Sequence, residues 1–118
     1  VFSARPSAID PADPNPHRQV YCHDFETGLT ELISVRDPAV PAATPNGASV
    51  LELAAVSATG RFVAFVSYAG NPDPAGGGQL WLRDTQSGTN ILVSVDRHGQ
   101  PAGAAGGFQG VQISADGR

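Results

Sequence analysis

Gln79-Leu80-Trp81-Leu82-Arg83-Asp84-Thr85-Gln86-Ser87-Gly88 decides how this chain is read, because Gln19-Val20-Tyr21-Cys22-His23-Asp24-Phe25-Glu26-Thr27-Gly28 is an earlier version of it. The offset is 79 minus 19, or 60 residues, and it holds downstream, where Leu32-Ile33-Ser34-Val35 becomes Leu92-Val93-Ser94-Val95. A second pair, Ser57-Ala58-Thr59-Gly60-Arg61 and Ser114-Ala115-Asp116-Gly117-Arg118, repeats at 114 minus 57, or 57 residues. The two offsets differ only by loop length. Self-similarity of a whole unit is the mark of a stacked repeat, in which each unit buries its apolar face against the next.

Within one period four short strands follow one another. Residues 50–56 and 62–68 are rich in apolar, β-branched and aromatic side chains, and the Ser-Ala-Thr-Gly turn joins them. Residues 79–83 and 91–95 supply the third and fourth strands, linked by the Asx and glycine turn chemistry of Asp84 to Gly88. The pattern predicts an all-β, antiparallel meander. Strict alternation of apolar and polar residues is weak in 62–66 and 91–95, so both faces of the sheet should be covered. A sandwich would cover both faces too, but it leaves the whole-unit repeat unexplained.

Composition bounds the reading further. The 118 residues make one domain at most, and 41% hydrophobic with 15% charged residues is ordinary for a folded chain. The 14 glycines and 10 prolines cluster between the apolar runs as turn punctuation. A net charge of -4 without a basic stripe argues against a nucleic-acid partner. No apolar stretch approaches the roughly 18 residues that a membrane-spanning helix needs. Cys22 is the single cysteine, so no intrachain disulfide can form. The chain opens on Val1-Phe2-Ser3-Ala4 and closes within a turn, which reads as the ends of an excerpt or a processed piece.

Taken together, residues 114–118, 57–67, 80–88 and 20–28 resemble the WD-like β-propeller repeats of the TolB type, and the resemblance covers nearly the whole chain. The departures are Thr59 in place of the turn aspartate, Cys22-His23 where the family commonly has an aliphatic residue and an arginine, and a prolonged loop at residues 10–15. The resemblance implies four-stranded antiparallel propeller blades. Residues 1–49 would supply strands two to four of one blade and a linking loop, 50–95 a complete blade, and 96–118 a loop and the first strand of a further blade, at 108–114. Such a chain is a fragment or subunit of a larger propeller, closed by further blades of the same protein or by a homo-oligomeric ring. Residues 109–113 should then lie beside residues 1–4 of the neighbouring unit. Open sheet edges make an isolated copy a poor monomer.

The same resemblance implies a function and a location. The leading expectation is a non-catalytic scaffold that binds a partner protein through its loops. The alternatives are an accessory propeller that filters substrate for a prolyl oligopeptidase-like hydrolase, and a carbohydrate-binding propeller, whose exposed aromatic platform is not evident here. Relatives of this type are mostly bacterial, and secreted or periplasmic.

Asp10, Asp13 and Asn15 are the candidate metal residues, because a calcium ion wants several carboxylate and amide oxygens from one tight loop. Pro11, Pro14 and Pro16 suit a plain surface loop equally well, and no bidentate glutamate follows. Besides calcium no cofactor is expected: a P-loop, a dinucleotide glycine fingerprint and a Gly-x-Ser-x-Gly elbow are all missing. Gly103, Gly106, Gly107 and Gly110 precede a strand, not a helix that could hold a phosphate. His17, His23 and His98 are too scattered for one metal. Asp24 and Asp84 read as turn caps, Cys22 as a buried inert thiol, and Tyr21 and Trp81 as packing between neighbouring units.

Overall fold

The computed structural model describes residues 1–34, 47–50, 55–68, 78–102, 108 and 110–117. Seven strands among them form two antiparallel sheets. The first sheet has the order β1 (Phe2–Ala4), β2 (Gln19–His23), β3 (Thr30–Leu32). The second runs, also in chain order, β4 (Ser49–Val50), β5 (Phe62–Ser67), β6 (Gln79–Asp84), β7 (Thr89–Leu92). Register repeats with the sequence. Tyr21 lies opposite Phe2 and Leu32, and Trp81 lies opposite Phe65 and Leu92.

Strand β5 shows why its apolar run is nearly continuous. Val63 and Phe65 point to one side, where they pack with Val20 and Ile33 of the first sheet and with half-buried Cys22, Val56 and Trp81. Ala64 and Val66 point to the other side and pack with Ala55 and Val111, next to Leu80, Leu82 and Phe108. Successive side chains of a strand face opposite ways. Both faces are therefore roofed, one by the β1–β3 sheet and the other by the segment carrying Phe108 and Val111.

Of three expected strands, one ends early for a local reason, one is described only in part, and one shows no ladder among its described residues. The last strand of the complete unit ends at Leu92 and not at Val95. Ser94 Oγ takes the Leu80 N–H at 3.0 Å, and the Val93 and Ser94 N–H groups both turn to the Leu80 carbonyl, so the side chain replaces the ladder. Val95 then pairs with Pro101 across the tight turn at 96–100. The expected strand at 50–56 is seen at its two ends, with Val50 opposite Val66 and Val56 opposite Val63; residues 51–54 lie outside the described set. In the expected strand at 108–114, no described residue has a ladder partner. Val111 instead lies face-on against Ala64 and Val66, and Gln109 is not among the described residues.

One element was not anticipated, a 3-10 turn at Pro6–Ala8. Proline suits its first position because the ring presets φ and no N–H is needed there. No helix among the described residues is long and apolar enough to cross a membrane.

Candidate functional site

The two rims of the sheets are built differently. One rim carries tight turns. In the β2–β3 turn, Asp24 Oδ1 accepts the N–H groups of Glu26 (2.8 Å) and Thr27 (3.3 Å), and Gly28 closes the turn onto the Asp24 carbonyl at 2.8 Å. The β6–β7 turn repeats this: Asp84 Oδ1 accepts Gln86 (3.0 Å) and Ser87 (3.4 Å), and Gly88 bonds the Asp84 carbonyl at 2.9 Å. Gly28 and Gly88 have φ of 72° and 69°, which glycine tolerates far better than other residues.

The same rim holds the Ser-Ala-x-Gly turns. Gly60 bonds the Ser57 carbonyl and Gly117 the Ser114 carbonyl, at 2.9 and 3.0 Å. These two turns touch each other, since the Ala58 N–H donates to the Ala115 carbonyl at 3.1 Å. The position after Gly60 is occupied by Arg61, whose guanidinium grips Asp84 with both ends, Nε to Oδ1 at 3.0 Å and Nη2 to Oδ2 at 2.7 Å. That grip, with the two backbone donors, holds the Asp84 carboxyl well below the usual carboxylate range. Asp24 is lowered too, by the donors of its turn.

The opposite rim carries the long connections, and one polar lock recurs there in both units. Ser34 Oγ donates to Gln19 Oε1 at 2.8 Å and accepts the Val20 N–H at 3.2 Å, while Gln19 Nε2 donates to the Gly47 carbonyl at 3.0 Å. In the second unit, Ser94 Oγ bonds both Gln79 Oε1 and the Leu80 N–H, and Gln79 Nε2 donates to the Ala102 carbonyl at 3.3 Å. Gln19 and Ser34 are fully buried, so the lock is a built element of the core edge.

No family model, curated protein or solved structure matches this chain.

The residues singled out in the sequence fall into separate places. Asp10, Asp13 and Asn15 each spend a side-chain oxygen on a backbone N–H two residues on, of Ala12, Asn15 and His17, at 2.9 to 3.0 Å. They build consecutive Asx turns in the long-loop rim. Nearby, burial pushes the Tyr21 hydroxyl up, and the charges of Asp13 and Asp10 add to this. Among the described residues no three His, Cys, Asp or Glu side chains converge. His23 shares a 2.9 Å hydrogen bond with Thr30 Oγ1 and meets the edge of Phe25, while His98 accepts from its neighbour Arg97. Cys22 sits half-buried at the core between the sheets, and Trp81 packs there as well.

Sequence reasoning missed the ion pair that ties the sheets together, Arg83 Nη2 to Glu31 Oε1 at 2.7 Å. Arg83 stands at the repeat position of His23, and nothing local marks it as buried. An available signal was its place two residues after Trp81 on one strand, which puts both on the face turned to the first sheet.

Proposed function

We propose that the chain is part of a β-propeller built from the 60-residue unit, with strands two to four of one blade in residues 1–34 and a whole blade in residues 50–95. The first strand of a further blade then falls in residues 108–114. In this reading the protein is a non-catalytic scaffold, and a partner protein is held on the long-loop rim. The observation that carries the reading is the duplicated lock, Gln19–Ser34–Gly47 and Gln79–Ser94–Ala102, which anchors equivalent points of that rim in both units. A repeat that fixes its loop anchors while letting the loops differ keeps the frame rigid and gives the variation to recognition.

A photo-crosslinking amino acid tests this, placed singly in the full-length protein within its own cells. Ser7, Ala12 and His98 sample the long-loop rim, and Thr59 and Gln86 the tight-turn rim; all five side chains are exposed. A discrete protein adduct is expected from the first set only. Adducts confined to Thr59 and Gln86, or none from either set, overturn the assignment.

A further inference from the structure

Through the 60-residue repeat, the two end faces of the molecule carry positions equivalent to the two halves of its own internal interface. Carried through the 60-residue offset, Leu80 stands for Val20, Leu82 for Cys22, Ile91 for Glu31 and Val93 for Ile33. The first-unit residues press against β5 and β6. Of their second-unit equivalents, Leu80 and Leu82 are half-buried beside Phe108 and Val111, whereas Val93 and Ile91 look outward: Ile33 is 0% exposed, Val93 45% and Ile91 53%. Single apolar residues at a surface need no explanation, but Val93, whose counterpart Ile33 is covered by a sheet, stands beside Ile91, where the first unit has a charged Glu31.

At the other end the correspondence runs the opposite way. By strand register, Phe2 and Tyr21 hold the places of Phe65 and Trp81, and His23 that of Arg83, the side chains with which the β4–β7 sheet meets the first sheet. Tyr21 is already covered, with Phe2 stacked on it at 5.7 Å. Half-buried Phe2 and His23 therefore offer the seat, extended by Phe25, which is 92% exposed with His23 against it at 5.0 Å.

The geometry points to head-to-tail association of copies of this chain, the Phe2–His23–Phe25 face of one seated on the exposed Ile91 and Val93 of the next, beside the segment carrying Phe108 and Val111. This rests on the repeat-propeller reading and adds the identity of the occupant. A second copy fits because the receiving face is register-matched to a surface this chain itself carries, continuing an interface already present within it. Charge agrees: the internal Arg83–Glu31 pair is replaced by His23 beside Ile91, which leaves no carboxylate to strip of water. Such a contact joins different patches on the two partners and therefore propagates into a ring or a filament.

Cross-linking of paired cysteines tests the arrangement, in a Cys22→Ser background with a short bifunctional thiol reagent. Chains carrying His23→Cys mixed with chains carrying Ile91→Cys should link in preference to either chain with itself. Sedimentation of the unmodified chain should show multiples of 12.1 kDa, and Ile91→Arg, on an exposed position, should return it to a single mass. A folded 12.1 kDa monomer at high micromolar concentration, or self-linking of Ile91→Cys, overturns the inference. Glu31→Cys with Arg83→Cys in one chain separates the two failures. If that internal pair does not link, the stacked-repeat reading falls; if it links and the intermolecular pair does not, only the head-to-tail association falls.

Discussion

Glu31 on β3 and Arg83 on β6 close the gap between the two sheets with a 2.7 Å ion pair, and they are buried very unequally. The Arg83 side chain is 9% exposed, the Glu31 side chain 46%. Arg83 also donates through Nη1 to the Gly88 carbonyl at 2.7 Å and is buried as a residue. Exposure of the acid keeps the Coulomb gain small, so Glu31→Gln should cost less than about 1 kcal/mol. Arg83→Ala removes packing and a second hydrogen bond as well, and should cost about 2 to 3 kcal/mol. Urea unfolding of both variants checks the order; a larger loss for Glu31→Gln would refute it.

The Gln–Ser locks make a paired prediction. Ser34→Ala leaves the buried Val20 N–H and Gln19 Oε1 without their partner, and an unsatisfied buried polar group costs about 1 to 3 kcal/mol. Ser94→Ala removes the same bonds at a more open site, so it should cost less. Thermal melts decide it, and equal losses would mean that burial does not set the strength of the lock.

Trp81 was expected between neighbouring units, and it packs on the cluster of Val20, Ile33, Val63 and Phe65. It is only half-buried, so Trp81→Ala should fall at the low end for a large aromatic truncation, about 3 kcal/mol. A loss under about 1 kcal/mol would place the ring outside the energetic core.

What could be read from the sequence follows from how local each signal is. The turns at 24–28, 57–60 and 84–88 depend on an aspartate or serine and a glycine a few residues apart, so composition and spacing place them directly. The strand ending at Leu92 does not, because Ser94 acts through a hydroxyl bonded to residues 14 and 15 positions away. Arg83 and Glu31, 52 residues apart, each read alone as a surface charge. The loop at Asp10, Asp13 and Asn15 shows a different limit: spacing that would bring oxygens toward a calcium ion is also spacing that caps successive backbone N–H groups, and the Oδ1 atoms of all three accept such groups here.

Gly60 and Gly117 end equivalent turns with φ of 73° and 82° but stand in different surroundings. A Cβ at Gly60 would meet nothing within 4 Å, whereas at Gly117 it would run into the Phe62 ring. Gly60→Ala should therefore cost only the left-handed backbone penalty, about 1 to 2 kcal/mol. Gly117→Ala adds a steric clash that must displace Phe62, which also carries the Arg61 guanidinium 4.8 Å over its ring. Chemical denaturation of the two variants should rank Gly117→Ala as the worse; the reverse order would detach residues 110–117 from the face of β5.

Asp84 gives the chain an acid-sensitive joint. Its carboxyl is held below the ordinary value first by the Arg61 guanidinium and then by the Gln86 and Ser87 N–H groups. A carboxyl whose pKa is lower folded than unfolded stabilises the folded state fully above its unfolded value near 4, and loses that contribution as pH falls through the folded value. Stability should hold from pH 7 to about 5 and then decline steadily below about 4. Asp84→Asn keeps an oxygen for the turn N–H groups but discards the charge that Arg61 grips, so it should be less stable at pH 7 and flatter in acid. Asp24→Asn removes a carboxyl lowered only by its own turn and its neighbour His23, and should leave most of the acid slope in place. Melting temperatures from pH 7 to pH 3 for the three proteins test this, and an acid slope unchanged in Asp84→Asn would remove Asp84 as its source.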